Sequence, residues 1–560
     1  MRHREFFKES YQLIKPFWVS DQWKKALLFL LLCLALNFGF IYISVQMNYW
    51  NRDIYDALQN KNYSNFIAQV IKYFPLLGYF IFIVVSKKVA ESFLSFQWRQ
   101  WYTKSYLKKW THNDTYYHVM NSRSHVDNPD QRISQDLNSL TSGMLSLFIT
   151  FITEIVNVIT FGVILWSLSS IINFTFFGLD LKIPGYLIWA ALLYAAIGSG
   201  IMILVGRPLV KLDFMRERYE ANFRSSLIRL QERREEIALY DGVFTEKKNL
   251  LSKFSDIRHN FYGIIKRNIY INTVEILHLN LATLFPLLVS SPMYFAGAVT
   301  LGNVMQIVSA FGHVKNSFSI IVDNFTTLAA LRATIIRLAE LRYNIEESNA
   351  DVRNSKIKIS AKPDELNIKN LSINKPDGEL LKKNIAVNLK PKDALLIQGP
   401  SGSGKSTIIR SLKGVWLHGS GEINLPKDKK TMFIPQRPYM PIDSLENVIY
   451  YPHHDPSSVV RKEIESYMKK FNLSHLIKSM NKHTDWTNVL SLGEQQRVAI
   501  IRALINNPDV IILDEPTTSL DKQSEQTAFK ELFAKFKNKI MICVSHSDKF
   551  TKFFNKKMEM

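Results

Sequence analysis

Ala394-Leu-Leu-Ile-Gln-Gly-Pro-Ser-Gly-Ser-Gly-Lys405-Ser406-Thr407 opens as a short apolar run, passes through a glycine-rich turn and leads into a helix-like segment. The spacing Gly-x-x-x-x-Gly-Lys-Ser, directly after a strand and before a helix, is the pattern of a phosphate-binding loop. Gly399, Gly402 and Gly404 leave room for backbone N–H groups to close around phosphate oxygens, with Pro400, Ser401 and Ser403 between them. Lys405 reaches the terminal phosphates and the Ser406 hydroxyl is placed to bind Mg²⁺, so ATP and Mg²⁺ are the expected ligands. One such loop is a motif with false positives, so the rest of the chain has to decide.

Downstream, Val510-Ile-Ile-Leu-Asp514-Glu515 reads as a buried strand ending in two carboxylates. Alternation sends neighbouring side chains in different directions, so the two acids can take different work. Asp514 suits support of Mg²⁺, and Glu515 suits a general base that polarises the attacking water. Gln436, in Ile434-Pro-Gln-Arg-Pro, follows another apolar strand and is a candidate contact for Mg²⁺ and water. His546, in Val544-Ser-His-Ser, follows the last strand and is a candidate donor to the γ-phosphate. Leu490-Ser-Leu-Gly-Glu-Gln-Gln-Arg497 is a turn opening a helix, where a serine and exposed N–H groups make an anion site. If that site and the glycine loop bind one ATP, two copies of the domain have to face each other. Ala394–Gln398, Val510–Leu513 and Ile540–Val544 alternate with helical stretches, the sign of a parallel α/β sheet.

Upstream the character changes. Ala26–Asn51, Ile155–Leu179, Ile183–Gly206 and Ile276–Val314 contain no Asp, Glu, Lys or Arg, and a bilayer-spanning helix needs about 20 mostly apolar residues. Six spans are expected near residues 26–50, 66–86, 144–172, 184–206, 269–289 and 298–325, the sixth interrupted by Lys315 and Asp323. A soluble enzyme and a disordered chain are both disfavoured. The 70 basic against 49 acidic residues give +21. The first 350 residues hold 36 − 26 = +10 and the remainder 34 − 23 = +11, so neither half is a basic arm. The basic residues follow topology instead: eight lie in 87–143 and fourteen in 207–267, against three in 51–72. With positive residues inside, both long connections and the C-terminal half are cytoplasmic, and nucleic acid is not an expected partner. Glu154 stands alone between Leu137 and Leu179; a carboxylate there serves either a substrate or proton site or a hydrogen-bonded contact between helices. The two cysteines, Cys33 and Cys543, offer no disulfide framework or metal spacing.

Together the nucleotide motifs resemble an ATP-binding cassette (ABC) domain. Walker A (Gly399–Thr407), the Gln loop (Gln436), the signature (Ser491–Glu494), Walker B (Asp514, Glu515), the D-loop (Ser519–Asp521) and the switch His546 stand in family order over roughly 365–550. The resemblance implies that Ser491, Gly493, Glu494 and Asp521 also border nucleotide. The whole chain is similar to a half-transporter of exporter-like architecture: an α-helical six-span membrane domain (1–345), a linker (346–364, polar from Asn349 to Asp364) and an α/β P-loop cassette (365–560). Trp50-Asn-Arg-Asp-Ile-Tyr-Asp-Ala-Leu, Asn128-Pro-Asp-Gln-Arg-Ile-Ser-Gln-Asp136, Pro184-Gly-Tyr-Leu-Ile-Trp and Glu235-Glu-Ile-Ala-Leu-Tyr-Asp-Gly242 resemble the SbmA/BacA-like group, related to the peroxisomal fatty-acyl (ABCD) transporters. That resemblance implies ATP-driven alternating access in a domain-swapped homodimer in the bacterial inner membrane, with uptake of a peptide, cobalamin-like or other amphiphilic compound. Export of a lipidic compound, or a non-transporting regulatory ATPase, are the alternatives. The Asn128–Asp136 and Glu235–Gly242 segments are expected to border the contacts that couple helices to cassette. Two positions depart from the family pattern. The signature reads Ser-Leu-Gly-Glu where Ser-Gly-Gly-Gln is common, and Lys375 precedes Pro376 where an adenine-stacking aromatic is usual.

Overall fold

The computed structural model describes residues 3–121, 128–169, 172–176, 179–363, 365–545 and 548–560. The chain divides into two compact units, one of residues 1–109 and 126–343, the other of residues 110–125 and 344–560.

The first unit is helical. It comprises α1 (His3–Trp18), α2 (Trp23–Gln59), α3 (Tyr63–Thr111), the short α5 (Pro129–Gln131), α6 (Leu137–Leu168), α7 (Tyr186–Glu232), α8 (Arg234–Leu239), α9 (Val243–Phe295), α10 (Leu301–Asp323) and most of α11 (Phe325–Arg353); α4 (Thr115–Asn121) belongs to the second unit. An antiparallel hairpin of β1 (Ile172–Phe176) and β2 (Leu179–Ile183) separates α6 from α7. In α6, Leu137, Leu140, Thr141, Leu145, Ile149, Thr153, Asn157 and Phe161 are buried, a stripe at helical spacing. The opposite face carries exposed Phe148, Phe151, Ile155 and Ile159, an apolar surface that water would not tolerate over such a length. Five helical stretches are long and apolar enough to cross a membrane: Trp23–Gln59, Tyr63–Asn121, Pro129–Leu168, Tyr186–Glu232 and Val243–Phe295. They overlap the first five expected spans, with α6 ending at Leu168 where the third was expected to reach 172 and α7 starting at Tyr186 where the fourth was expected from 184. The sixth, α10, is a helix of 23 residues that falls outside that set among the described residues. Its buried face carries Gln306, Lys315 and Ser317 and packs on α2, α6 and α7. The helices also run far past their apolar cores. α3 has 49 residues and α9 has 53, about 74 and 80 Å at 1.5 Å per residue, against a hydrocarbon layer of about 30 Å.

In the second unit the stretch expected as a linker is ordered. α11 continues to Arg353, and β3 (Ile357–Lys362) pairs in parallel with β7 (Gly419–Pro426), Ile357 opposite Gly421. Only Ile357 of β3 is buried, so an edge strand presents a polar sequence that reads as linker. β3, β7, β4 (Leu366–Asn374) and β5 (Leu380–Leu389) form a four-stranded sheet in that order. A five-stranded parallel sheet runs β11 (Lys556–Glu559), β6 (Ala394–Gln398), β10 (Ile540–Val544), β9 (Val510–Asp514), β8 (Thr431–Ile434). The three strands expected from apolar runs are β6, β9 and β10, each buried along nearly its whole length, as a parallel sheet covered on both faces requires. α12 (Lys405–Lys413) and the apolar faces of both sheets enclose one core. The helices α13 (Leu445–Tyr450), α14 (Ser458–Lys470), α15 (Leu492–Asn506) and α16 (Lys522–Lys535) build a second core on the other face. The loops after β6, β8, β9 and β10 all leave the carboxyl edge of the sheet, where ligands of open α/β sheets bind.

Candidate active site

The glycine loop joins β6 to α12 in left-handed or otherwise glycine-favouring conformations, φ being +153° at Gly399, +82° at Gly402 and +100° at Gly404. A Cβ at Gly399 would also meet the Met560 carbonyl at 3.0 Å, because β11 pairs with β6 and brings Met560 beside the loop. Gly404 is the residue before the first turn of α12 and its carbonyl accepts from the Ile408 N–H at 3.0 Å. Lys405 is buried, and its Nζ donates to the carbonyls of Gly399 (2.9 Å) and Pro400 (2.7 Å). The lysine thereby closes the loop on itself and holds its ammonium at the α12 N-terminus. Ser401 is exposed at the turn, and Thr407 is the third residue of α12, its carbonyl accepting from Ser411 Oγ at 2.9 Å. The Ser403 hydroxyl is buried with no partner among the described residues. Such an orphan in a loop of inward N–H groups fits a phosphate oxygen.

Two pairs of side chains from separate loops meet behind the loop. Ser406 Oγ donates to Asp514 Oδ1 at 3.2 Å, and Gln436 Nε2 donates to Glu515 Oε2 at 2.8 Å. A hydroxyl and a half-buried carboxylate in contact are oxygen donors of the kind Mg²⁺ selects. Burial lifts the Asp514 carboxyl above the usual range, Glu515 adds to this, and Ser406, Arg410 and Lys405 pull against it. Glu515 holds a left-handed φ of +47°, and its N–H donates to the Val544 carbonyl at 3.0 Å. For a non-glycine residue this costs about 1–3 kcal/mol. His546 lies outside the described residues.

Ser491 is the N-cap of α15. Glu494 completes a capping box: Ser491 Oγ accepts from the Glu494 N–H at 3.3 Å, and Glu494 Oε2 accepts from the Ser491 N–H (2.9 Å) and hydroxyl (2.8 Å). Glutamate at this position is therefore tied into the helix start. A Cβ on Gly493 would lie 2.8 Å from the Ser519 carbonyl, so the signature glycine is where α15 touches the loop leading to α16. Asp521 caps α16, accepting from the N–H groups of Gln523 (3.2 Å) and Ser524 (3.1 Å). Among the described residues, no hydrogen bond joins Ser491, Gly493, Glu494 or Asp521 to the glycine loop. The structure thus gathers Lys405, Ser406, Gln436, Asp514 and Glu515 into one cluster and leaves the signature residues apart from it.

Sequence reasoning missed the residue that connects these parts. Gln496, buried, accepts from the Ser519 N–H (2.9 Å), donates to Thr518 Oγ1 (2.9 Å) and reaches the Gln436 carbonyl (3.5 Å). It lies within the quoted Leu490–Arg497 stretch, but a glutamine there carries no pattern that announces a bridge. Of the two segments expected to border the contacts that couple helices to cassette, Asn128–Asp136 is fastened to α11. Arg132 Nη1 donates to the Arg337 carbonyl at 2.8 Å and pairs with Glu340, while Asp136 accepts from Arg337 at 2.8 and 2.6 Å. These charged side chains read as solvated surface because their partners stand some 200 residues away. The segment that groups with the cassette is the one just before, with Thr115 Oγ1 at 3.4 Å from Asn349 Oδ1. In the Glu235–Gly242 segment, Leu239 and Tyr240 are 77% and 86% exposed.

Comparison with known proteins agrees with this arrangement. The family described as ABC transporter transmembrane region 2 matches residues 13–295, and the family described as ABC transporter matches residues 382–518. The chain is 31% identical to ABC transporter D family member 2, chloroplastic, of Arabidopsis thaliana, over 100% of this chain and 86% of that protein. It is 30% identical to the inner membrane ABC transporter ATP-binding protein YddA of Escherichia coli (strain K12), over 95% of this chain and 94% of that one. A solved structure of a bacterial Atm1-family ABC exporter with ATP bound shares the fold with a TM-score of 0.71 at 16% identity, covering 96% of this chain and 93% of that chain.

Proposed function

This chain belongs to the ABC transporter family and is an ATPase coupled to transport, and on that basis we propose a homodimer that takes up an amphiphilic solute, a peptide or cobalamin-like compound, across the bacterial inner membrane. The observation that carries the catalytic part is the Gln436–Glu515 contact beside the Ser406–Asp514 pair. Lys405 and the N–H groups of Gly402–Ser406 bind and orient the ATP phosphates. Ser406, Asp514 and Gln436 would hold Mg²⁺, which when bound would offset phosphate charge. Glu515, positioned by Gln436, takes the proton of the attacking water. The separation of Ser491 and Gly493 from their own glycine loop supports a site completed by the signature of a second copy. Two ATPs then favour the closed pair, and hydrolysis returns it to the open one, a population shift set by differential affinity. Uptake rests on the SbmA/BacA-like segments, and the membrane assignment on the name of the Escherichia coli relative.

Glu515→Gln tests the catalytic assignment. Its steady-state ATPase should fall by about 10²–10⁴-fold while ATP stays bound in the dimer. A wild-type rate would remove Glu515 as the base. Vesicles of both orientations incubated with externally added labelled peptide or cobalamin test the direction; accumulation only in inside-out vesicles would reverse it.

A further inference from the structure

A cavity of about 800 Å³ lies within the cassette unit, apart from the catalytic cluster. Its walls come from four places in the sequence: α4, the end of α11, the turn after β4 and the turn before β7. Two aromatic rings line it. Trp416 is fixed by its Nε1 donating to the carbonyls of Asn374 and His418, both at 3.1 Å. Tyr117, half-buried on α4, stands edge-on to the ring of buried His118 at 5.7 Å. The lining also contains Ser348, 5% exposed, whose hydroxyl has no partner among the described residues. An unpartnered hydroxyl this deeply buried costs stability unless something docks against it.

The lining chemistry selects the occupant. Asp351 and Glu347 stand on the same wall, with Lys356 and Lys375 elsewhere on the lining, so the site carries no cationic excess for a phosphate. Flat aromatic faces, a hydroxyl and carboxylates instead suit an uncharged ring with a hydrogen-bonding edge, which is the chemistry of a nucleobase. The position fits too. Leu381, at the start of β5, touches the glycine loop, its Cβ 3.7 Å from where a Cβ on Gly404 would stand. Gly378, on the cavity lining, is three residues earlier, at most about 10 Å of extended chain.

We propose that this cavity receives the base of the nucleotide whose phosphates the glycine loop holds, with Tyr117 of α4 supplying a stacking face and Ser348 an edge contact. The proposal rests on the glycine loop being the nucleotide site. It answers the absence of an aromatic at Lys375: the ring comes from a segment 258 residues earlier in the chain. Because α4 follows the long helix α3 after the short turn His112–Asp114, the base is read by the segment that comes next in the chain after that helix. A phosphate chain without a base would leave that segment unengaged.

The test compares Mg²⁺–ADP with Mg²⁺–pyrophosphate, by calorimetry on the full-length chain in lipid nanodiscs. In Tyr117→Ala, ADP affinity should fall roughly tenfold, pyrophosphate affinity should hold within about twofold, and Tyr117→Phe should restore ADP binding. Ser348→Ala should give a smaller loss, again for ADP only. Equal loss for both ligands, or no loss for either, overturns the proposal. So does saturable binding of adenosine that ADP fails to displace, which would make the cavity a separate purine site. If wild type binds no pyrophosphate, or Lys405→Ala binds it equally well, the glycine-loop reading itself falls, a result distinct from failure at Tyr117 alone.

Discussion

The cassette and the membrane unit both bury polar side chains, but they do so under different rules. In the cassette, Arg502 is buried beneath the sheet and donates to the Val448 carbonyl (3.0 and 2.8 Å) and the Tyr439 carbonyl (2.9 Å). Burial lowers its pKa to about 10. In the membrane unit, Asn37 accepts from Thr153 at 2.9 Å, Asn48 donates to the Gln306 carbonyl at 3.1 Å, and Glu154 accepts from Ser317 and Asn157. In the folded cassette a carbonyl that loses its donor is left in a core without water, so removing one partner carries the desolvation cost of the group left behind. A membrane helix that loses its partner stays in lipid and finds another polar group. The same kind of hydrogen bond therefore holds the first region together more firmly than the second.

Paired substitutions put that difference to measurement. Arg502→Met removes the donor to two carbonyls, at about 1–3 kcal/mol for each buried group left unsatisfied. It should lower cassette stability by roughly 3 kcal/mol in urea unfolding. Asn48→Leu in the membrane unit should cost only about 0.6 kcal/mol, read by unfolding in mixed detergent. Equal losses would break the distinction between the two solvents.

The two regions were also unequally legible. β6, β9 and β10 stood out because a parallel strand buried on both faces is apolar without interruption, and Lys405, Ser406, Asp514 and Glu515 stood out because phosphate chemistry fixes their spacing. The Gln436–Glu515 contact joins residues 79 apart, yet each residue sat at the end of a readable strand. Hydrophobic runs located the membrane helices but not their lengths, since α3 and α9 continue through amphipathic sequence that carries no lipid signal. β3 and β11 escaped notice as exposed edge strands with polar faces. The Arg132–Glu340 and Asp136–Arg337 ties were invisible because charge on a helix reads as solvated until its partner is known. The role of Gln496 was hidden for the opposite reason: it sits in a motif, but its function is a network set by three loops.

The capping box on α15 sharpens the comparison at a smaller scale, since it is a local hydrogen-bond device on the water-facing side. Burial disfavours the charged Glu494 carboxylate, but the Ser491 N–H and hydroxyl, with His475 and Arg497, outweigh it and hold its pKa below the usual value. For an acid shifted down, the stabilisation is complete above the unfolded pKa, about 4.3, and disappears as pH falls through the lower folded value. Glu494→Gln should therefore cost about 0.5–1 kcal/mol at pH 7 and nothing once pH is below that window. Hydrogen-exchange protection of the first turn of α15, followed from pH 7 to about 3.5, reads the difference. A cost unchanged across that range would mean that the charge plays no part.

Glu154→Gln should give the smallest effect, and Glu154 is where the two regions are easiest to confuse. A lone carboxylate among apolar residues looks like a binding group. Its surroundings argue otherwise. Ser317 on α10 donates to it at 2.5 Å and Asn157, one turn along α6, donates at 3.1 Å, so its oxygen already joins two helices. An amide oxygen accepts the same two bonds without the charge. Glu154→Gln should thus keep substrate-stimulated ATPase in liposomes within about twofold, whereas Glu154→Leu, which breaks both bonds, should cost about 1 kcal/mol of membrane-unit stability. If Glu154→Gln loses substrate stimulation while keeping basal hydrolysis, the negative charge itself contacts the cargo. The membrane unit would then resemble the cassette in placing a working carboxylate at its centre.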